Sequence, residues 1–207
     1  MIGAIITKIS LFILLVISKF GYLGIILLMA IESASIPLPS EIIMPFSGYL
    51  AGRGDLNLIF VTLSGAFGCL VGSMVAYMVG IYGGRPWIER YGRYLLISRK
   101  DLDRAERWFS RYGELIIFFS RLLPVVRTFI SLPAGVARMN VVRFAVYTFL
   151  GSVPWCFGLA YVGVVMGENW HVLEGYFHKF DILIGIGILG IVIYMIWHHR
   201  PDFKRAQ

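Results

Sequence analysis

Two carboxylates lie in a hydrophobic stretch that prolines interrupt. They are Glu32 and Glu41, nine residues apart, and Pro37 and Pro39 stand between them. Helical spacing does not hold across such a break, so only a turn of the chain can bring the two carboxylates together. A low-dielectric environment disfavours the charged form of a carboxyl group, so either acid could hold a proton near neutral pH. The pair therefore predicts proton coupling or gating.

Two guanidiniums form the counterpart of these acids later in the chain. Arg121 and Arg127 lie on either side of Pro124, and Gly135 follows. The planar fork of a guanidinium matches the oxygens of a phosphate, and two of them beneath freed backbone N–H groups would clamp one. Arg121 and Arg127 are therefore candidate phosphate-binding residues, and Pro124 and Gly135, like the two earlier prolines, are predicted hairpin breaks. The simpler alternative is a buried Glu–Arg network that only tethers the two stretches.

Both broken stretches run into clean candidate membrane spans. Residues 56–84 contain no charge over 29 positions, and residues 144–167 contain none over 24. A bilayer core has no water to satisfy freed backbone groups, so broken and charged segments at that depth must face protein or a water-filled cavity. Paired interrupted segments in two halves of a chain are typical of a membrane transporter with its site between the halves.

The composition indicates an integral membrane protein. Hydrophobic residues make up 58% of the chain, charged residues 15%, and the mean hydropathy is +0.76. The fold class expected is an all-α polytopic membrane protein without a soluble domain. The net charge of +7 does not indicate nucleic-acid binding, because the basic residues crowd into short segments beside the spans, where positive-inside bias explains them.

The distribution of charge also predicts the orientation. Residues 85–111 hold eight Lys and Arg residues, whereas residues 168–181 hold three acids and one lysine. Positive-inside bias places the central loop and the C-terminus in the cytoplasm and residues 168–181 outside. The two spans then run in opposite directions, and each broken stretch starts and ends on one side, as a re-entrant hairpin does.

An ungapped offset of 87 residues supports two halves of inverted topology. It aligns Pro37 with Pro124 and Cys69 with Cys156, although only 7 of 47 aligned positions are identical. The expected single membrane domain consists of repeat 1 (about residues 21–84), a cytoplasmic loop with an amphipathic helix (85–112), repeat 2 (about 113–167) and a C-terminal transmembrane helix (about 182–199).

Several smaller features are interpreted as structural. The N-terminal segment is a retained helix that either crosses the membrane or ends at a kink at Gly21. A stripe of small residues in the first span predicts close helix packing. Cys69 and Cys156 are expected to be small packing residues, since a disulfide would require contact between their helices. The helix in the central loop is expected to end at Gly113.

The broken stretches resemble those of the DedA family, also called the SNARE-associated or VTT-domain proteins. The acidic stretch matches the pattern Glu-x4-Pro-x-Pro-x-Glu that begins at Glu32. The basic stretch reads Phe-Phe-Ser-Arg-x2-Pro-x2-Arg-Thr from Phe118 and leads to Ala134 and Gly135. The resemblance covers roughly residues 21–167. It implies two facing re-entrant hairpins, each followed by a spanning helix, with the family's paired acids at Glu32 and Glu41 and its paired arginines at Arg121 and Arg127.

The resemblance implies transport across a bacterial cytoplasmic membrane. The leading hypothesis is a flippase that returns undecaprenyl phosphate or a related anionic lipid, with a polyprenyl phosphate as its lipid partner. The alternative is a proton-driven exporter or antiporter of small cations, in which the acids form the cation site. No Gly-x-Ser-x-Gly or His-Glu-x-x-His motif is present, so an enzyme is not expected. No cofactor, metal or nucleic acid is expected, and a homo-oligomer is left open.

Overall fold

The structure is a computed structural model that describes residues 2–34, 36, 38–95, 99–123 and 126–167. Within these ranges every regular element is helical. The eight helices, in chain order, are α1 (Ile2–Phe20), α2 (Tyr22–Ser33), α3 (Ser40–Gly52), α4 (Leu58–Leu95), α5 (Arg99–Ser120), α6 (Val126–Phe129), α7 (Ser131–Val136) and α8 (Val141–Met166). The predicted segment 168–181 and C-terminal helix 182–199 lie outside the described residues.

Two of the helices are long and apolar enough to cross a membrane. They occupy Leu58–Gly83 and Val141–Met166, each of 26 residues, with mean hydropathies of 2.0 and 1.7. At about 1.5 Å per residue each extends for about 39 Å, more than the roughly 30 Å of a hydrocarbon core. Large apolar side chains such as Val79 and Val142 are 57% and 69% exposed on these helices, as a surface that faces lipid requires.

The N-terminal helices meet at a sharp bend. Gly21 separates α1 from α2 and adopts a positive φ of 55°, a conformation that glycine reaches without the steric cost of a Cβ atom. The backbone of Gly24 then lies against the carbonyl of Val16. Of the two sequence interpretations, the structure has the kink at Gly21.

Each of the two charged stretches contains described residues that are not helical. They are residues 34, 36, 38 and 39 of the acidic break (residues 34–39, between α2 and α3) and residues 121–123 of the basic break (residues 121–125, between α5 and α6). Pro39 has extended backbone angles (φ −79°, ψ 107°) and stands at the N-cap of α3. Pro37 and Pro124, the other predicted breaks, lie outside the described residues.

Glycines set the distance between the packed helices. A Cβ atom on Gly72 would collide with the carbonyl of Ala30, and one on Gly68 would lie 2.5 Å from the carbonyl of Ile26. The small-residue stripe of α4 therefore packs directly on α2, which confirms the predicted close packing. α3 packs along α8, and α7 packs along α4.

Two glycines lie inside helices where the sequence pattern predicted breaks or ends. α5 passes through Gly113 to Ser120, and Gly113 is buried against Met139, so its lack of a side chain serves packing. Gly135, predicted as a hairpin break, lies within α7, next to its last residue. Its backbone contacts the carbonyl of Tyr77 in α4, where no side chain would fit.

Candidate functional site

An acid and a base next to the two breaks are in direct contact. Nη2 of Arg127 donates a hydrogen bond to Oε1 of Glu32 at 2.6 Å, and the two side chains are only 4% and 8% exposed. The hydroxyl of Ser33 donates to the other carboxylate oxygen at 3.2 Å. This ion pair joins the last turn of α2 to α6, between residues 95 positions apart in the sequence.

Arg121 is enclosed by hydrogen-bond acceptors. Its Nη1 donates to the hydroxyl of Ser73 at 2.9 Å and to the backbone carbonyl of Arg127 at 2.7 Å. Its Nη2 donates to the hydroxyls of Ser131 at 2.8 Å and Thr148 at 3.4 Å. The side chain, 2% exposed, thereby ties the basic break to α4, α7 and α8. Its bond to the Arg127 carbonyl also fixes the short helix that carries the second guanidinium.

An aromatic ring lies against each guanidinium. The guanidinium carbon of Arg121 is 5.9 Å from the ring centroid of Phe144, and that of Arg127 is 5.2 Å from the ring of Trp155. Such contacts stabilise a cation most where water is excluded. The two rings belong to different apolar clusters of the fold, so the charged cluster lies between them.

Three buried N–H donors of this cluster have no acceptor among the described residues. They are Nε of Arg121, Nε of Arg127 and Nε1 of Trp155. Each of these groups donates and cannot accept, and a buried donor without an acceptor costs about 1–3 kcal/mol. An oxygen-rich anion is the kind of group that would satisfy them. The cluster is therefore chemically suited to an oxyanion.

Glu41 lies apart from Glu32, the acid with which it was predicted to act. It lies in the first turn of α3 and is half-buried, whereas Glu32 is buried. It is near enough to act electrostatically on Arg127. The structure therefore brings Glu32, Arg121 and Arg127 into one connected cluster and places Glu41 beside it.

Most of the polar residues around the arginines were not predicted from the sequence. Ser73, Ser131 and Thr148 are isolated hydroxyl residues in apolar helices, and that isolation is the signal that could have identified them. Cys69 and Cys156, predicted to be small packing residues, are both buried without a disulfide. They belong to one apolar cluster, where α4 and α8 pack together.

The fold and the cluster define an α-helical membrane protein with a buried ion-pair cluster between two interrupted helical segments. The VTT domain matches residues 38–165, which include both spanning helices and the basic break. The chain belongs to the VTT-domain family, also known as the DedA family.

The chain is similar to full-length bacterial membrane proteins. It is 39% identical to the uncharacterized membrane protein YkoX of Bacillus subtilis over 190 residues, which cover 91% of this chain and 84% of that protein. It is 36% identical to undecaprenyl phosphate transporter A of the same organism over 191 residues, covering 91% and 94%. The transporter A of Staphylococcus aureus is 32% identical over 195 residues, covering 92% and 96%. No solved structure matches the chain.

Proposed function

We propose that this protein translocates an anionic lipid, undecaprenyl phosphate or a related polyprenyl phosphate, across the bacterial cytoplasmic membrane. The observation that carries the proposal is the buried contact between Arg127 and Glu32, beside N–H donors that have no acceptor in the described part of the chain. A phosphate would supply acceptors to these donors and an anion to the guanidinium. The names of two relatives, both undecaprenyl phosphate transporters, support the same lipid class.

Charge balance suggests a mechanism in which the lipid phosphate replaces Glu32 as the partner of Arg127. When Glu32 is ionised, it neutralises Arg127; when a phosphate binds Arg127, the displaced carboxylate must find another cation or take up a proton. Proton uptake is favoured because an unpaired carboxylate is costly to bury. Binding of the lipid phosphate would then be coupled to protonation of Glu32. Glu41, close to Arg127, is proposed to gate or relay the proton.

The two arginines have unequal parts in this proposal. Arg121 has four hydrogen bonds to protein groups, which leave Nε as its free donor. Arg127 has one ion pair among the described residues, with Glu32, and a phosphate can replace that carboxylate. We therefore assign the main phosphate contact to Arg127, and to Arg121 a positioning role with one further donor.

The proposed architecture is a pair of re-entrant hairpins of inverted topology. Gly48 of α3 packs against Ala160 of α8, and Gly135 of α7 packs against Tyr77 of α4, both without room for a Cβ atom. The offset of 87 residues aligns Gly48 with Gly135, so equivalent glycines pack each short helix on the long helix of the other half. This exchange supports an inverted repeat with the charged cluster between its halves.

Export of small cations is the second candidate. The Glu32–Arg127 pair favours this function if Glu32 is the site for a cation or proton and Arg127 serves only to neutralise the carboxylate. The two functions differ in the charge of the substrate. A phosphate lipid requires the geometry of a guanidinium at position 127, whereas neutralisation of Glu32 requires only a positive charge.

The test is the affinity of purified variants for undecaprenyl phosphate. Arg127→Lys keeps the charge but loses the planar fork, so we expect about tenfold weaker binding, equivalent to about 1.4 kcal/mol. Arg53→Lys, at an exposed position outside the cluster, is the matched control and should bind as the wild type does. Size-exclusion profiles establish that each variant is folded.

Two results would favour the cation exporter instead. The first is wild-type affinity in Arg127→Lys. The second is equal binding of undecaprenol, which has the same chain without the phosphate. Arg121→Lys is informative in another way. One ammonium cannot replace four hydrogen bonds to four helices, so we expect this variant to lower the melting temperature more than Arg127→Lys does.

A further inference from the structure

We infer that the chain carries a second phosphate-binding site, in a cavity between α5 and the connection from α7 to α8. The cavity has a volume of about 390 Å³. Its polar lining consists of Arg111, Tyr112, Glu114, Arg138, Asn140 and Arg143. We call it the arginine cleft. None of these residues belongs to the Glu32–Arg127 cluster.

The arginine cleft has an excess of positive charge. Three guanidiniums line it, and Glu114 is the one carboxylate among its described lining residues. That carboxylate accepts a hydrogen bond from Arg143 at 2.8 Å and contacts the hydroxyl of Tyr147. It is therefore already engaged. Arg138 has no ion pair with any described residue, so its charge is available to an anion.

The backbone of Arg138 occupies a position that normally belongs to glycine. Its φ is 50°, the one positive value for a non-glycine residue in the described ranges. Its N–H bonds to the carbonyl of Gly135, and that of Met139 bonds to the carbonyl of Ala134. These two bonds form a Schellman motif with Arg138 at the left-handed position, where glycine is the usual residue. A costly arginine at this point is explained if its side chain serves a ligand.

The walls of the cleft suit the phosphate of a membrane lipid. Phe109, Leu115 and Met139 contribute apolar surface next to the guanidiniums. Basic pockets between helices at a membrane surface bind anionic headgroups, and a guanidinium fork matches phosphate oxygens. The shared chemistry is a phosphate group, which could come from an anionic phospholipid or from a soluble phosphate.

The arginine cleft and the buried cluster have no residue in common. Ser131, which binds Arg121, begins α7, whereas Arg138 lies two residues beyond the last residue of that helix. The second site therefore stands independently of the function proposed above.

The experiment measures thermal stabilisation of the purified protein in a neutral detergent. The probes are dioctanoyl phosphatidylglycerol, dioctanoyl phosphatidylcholine and inorganic phosphate. For the wild type we expect a concentration-dependent rise in melting temperature with phosphatidylglycerol and none with phosphatidylcholine. A rise with inorganic phosphate at the same concentrations would assign the site to a soluble phosphate instead of a lipid.

Arg138→Gly is the decisive variant. Glycine suits the left-handed backbone, so we expect the unliganded protein to melt at a higher temperature while its apparent affinity for the probe falls about tenfold. Arg138→Asn, which also tolerates this backbone, is the second variant. Arg53→Ala removes the same charge elsewhere and should keep the wild-type response.

Three outcomes would overturn the second site. They are an undiminished response in both Arg138 variants, an equal response to phosphatidylcholine, and a response that Arg127→Lys abolishes while Arg138→Gly retains it. The last would move the phosphate to the buried cluster, which would support the proposed function at the expense of this inference. Loss of the response in Arg138→Gly alone would support the arginine cleft whatever the fate of the transport proposal.

Discussion

Two arginines six residues apart have different chemical surroundings in this fold. Arg121 is held by three hydroxyls and a backbone carbonyl, whereas Arg127 is held mainly by the carboxylate of Glu32. A hydroxyl cannot neutralise the charge of a guanidinium, so these four hydrogen bonds hold Arg121 in place without balancing its charge. Among the described residues, Glu32 is the one buried carboxylate, and it is paired with Arg127. The two guanidiniums therefore exceed the buried carboxylate in charge, and an anion would balance the difference.

Glu32→Gln tests this balance. The amide keeps the shape of the side chain but removes the negative charge beside Arg127, and loss of one partner of a buried ion pair costs about 3–5 kcal/mol. We expect a lower melting temperature, tighter binding of undecaprenyl phosphate and slower translocation in proteoliposomes. The anion would replace the missing charge, and the protein would then lack the group that displaces it.

Glu41→Gln is the comparison for that experiment. Because Glu41 is only half-buried, its loss should destabilise the protein less. Weaker lipid binding by Glu32→Gln would contradict the exchange of partners. Normal translocation by both variants over a range of pH would refute proton coupling through these acids.

The sequence was sufficient to find the charged residues but not their partners. Charges in apolar, proline-broken stretches are rare, so Glu32 and Arg127 stood out, and the structure brings them together. Ser73 and Thr148 did not, because a hydroxyl in an apolar helix usually bonds to its own backbone. Only the packing of α4 and α8 around the basic break directs these hydroxyls to Arg121.

At the scale of the helices, glycine positions determine which elements can touch. Gly72 of α4 lies directly on the carbonyl of Ala30 in α2, so the two helices pack backbone to backbone. α2 ends at Ser33, beside the acid of the ion pair. A change in the distance between α2 and α4 would therefore move Glu32 relative to Arg127.

Gly72→Ala measures that dependence. The added methyl group has no space against the Ala30 carbonyl, and overpacking of this kind costs about 1–3 kcal/mol. We expect a lower melting temperature and weaker binding of undecaprenyl phosphate. Gly158→Ala is the control, because nothing lies within 4 Å of a Cβ atom there and alanine favours a helix over glycine by about 0.5–1 kcal/mol. A melting temperature for Gly72→Ala equal to that of the control would contradict the close packing.

Hydrophobic patterns predicted the long helices better than the short ones. The uncharged stretches correspond to the apolar parts of α4 and α8. Gly113 and Gly135 were interpreted as an end and a break, yet both lie within helices. A glycine at a helix end and a glycine at a close crossing look alike in one sequence, and only the neighbouring helix distinguishes them.

At the scale of the whole molecule, each half of the chain packs against the other half. α3 packs on α8 and α7 packs on α4, so each half stabilises the long helix of the other, and the Glu32–Arg127 pair lies between them. In the proposed inverted repeat, alternating access would arise from movement of the two halves against each other around the charged cluster. Cys69 of α4 and Cys156 of α8 share one apolar cluster where the two long helices pack, so they would report on such a movement.

The charge distribution predicts the orientation of the chain in the membrane. The excess of Lys and Arg in residues 85–111 predicts that this segment lies in the cytoplasm and that the connection between α3 and α4 lies outside. Asp55→Cys and Arg111→Cys, at two exposed positions, report on these sides in a background in which Cys69 and Cys156 are replaced by alanine. An impermeant maleimide added to intact cells should label position 55 and not position 111, and both should react after the cells are broken. Labelling of position 111 alone in intact cells would mean that the orientation is the opposite of the predicted one. Labelling of both positions would mean that α4 does not separate them across the membrane, and this result would also contradict the proposed inverted repeat.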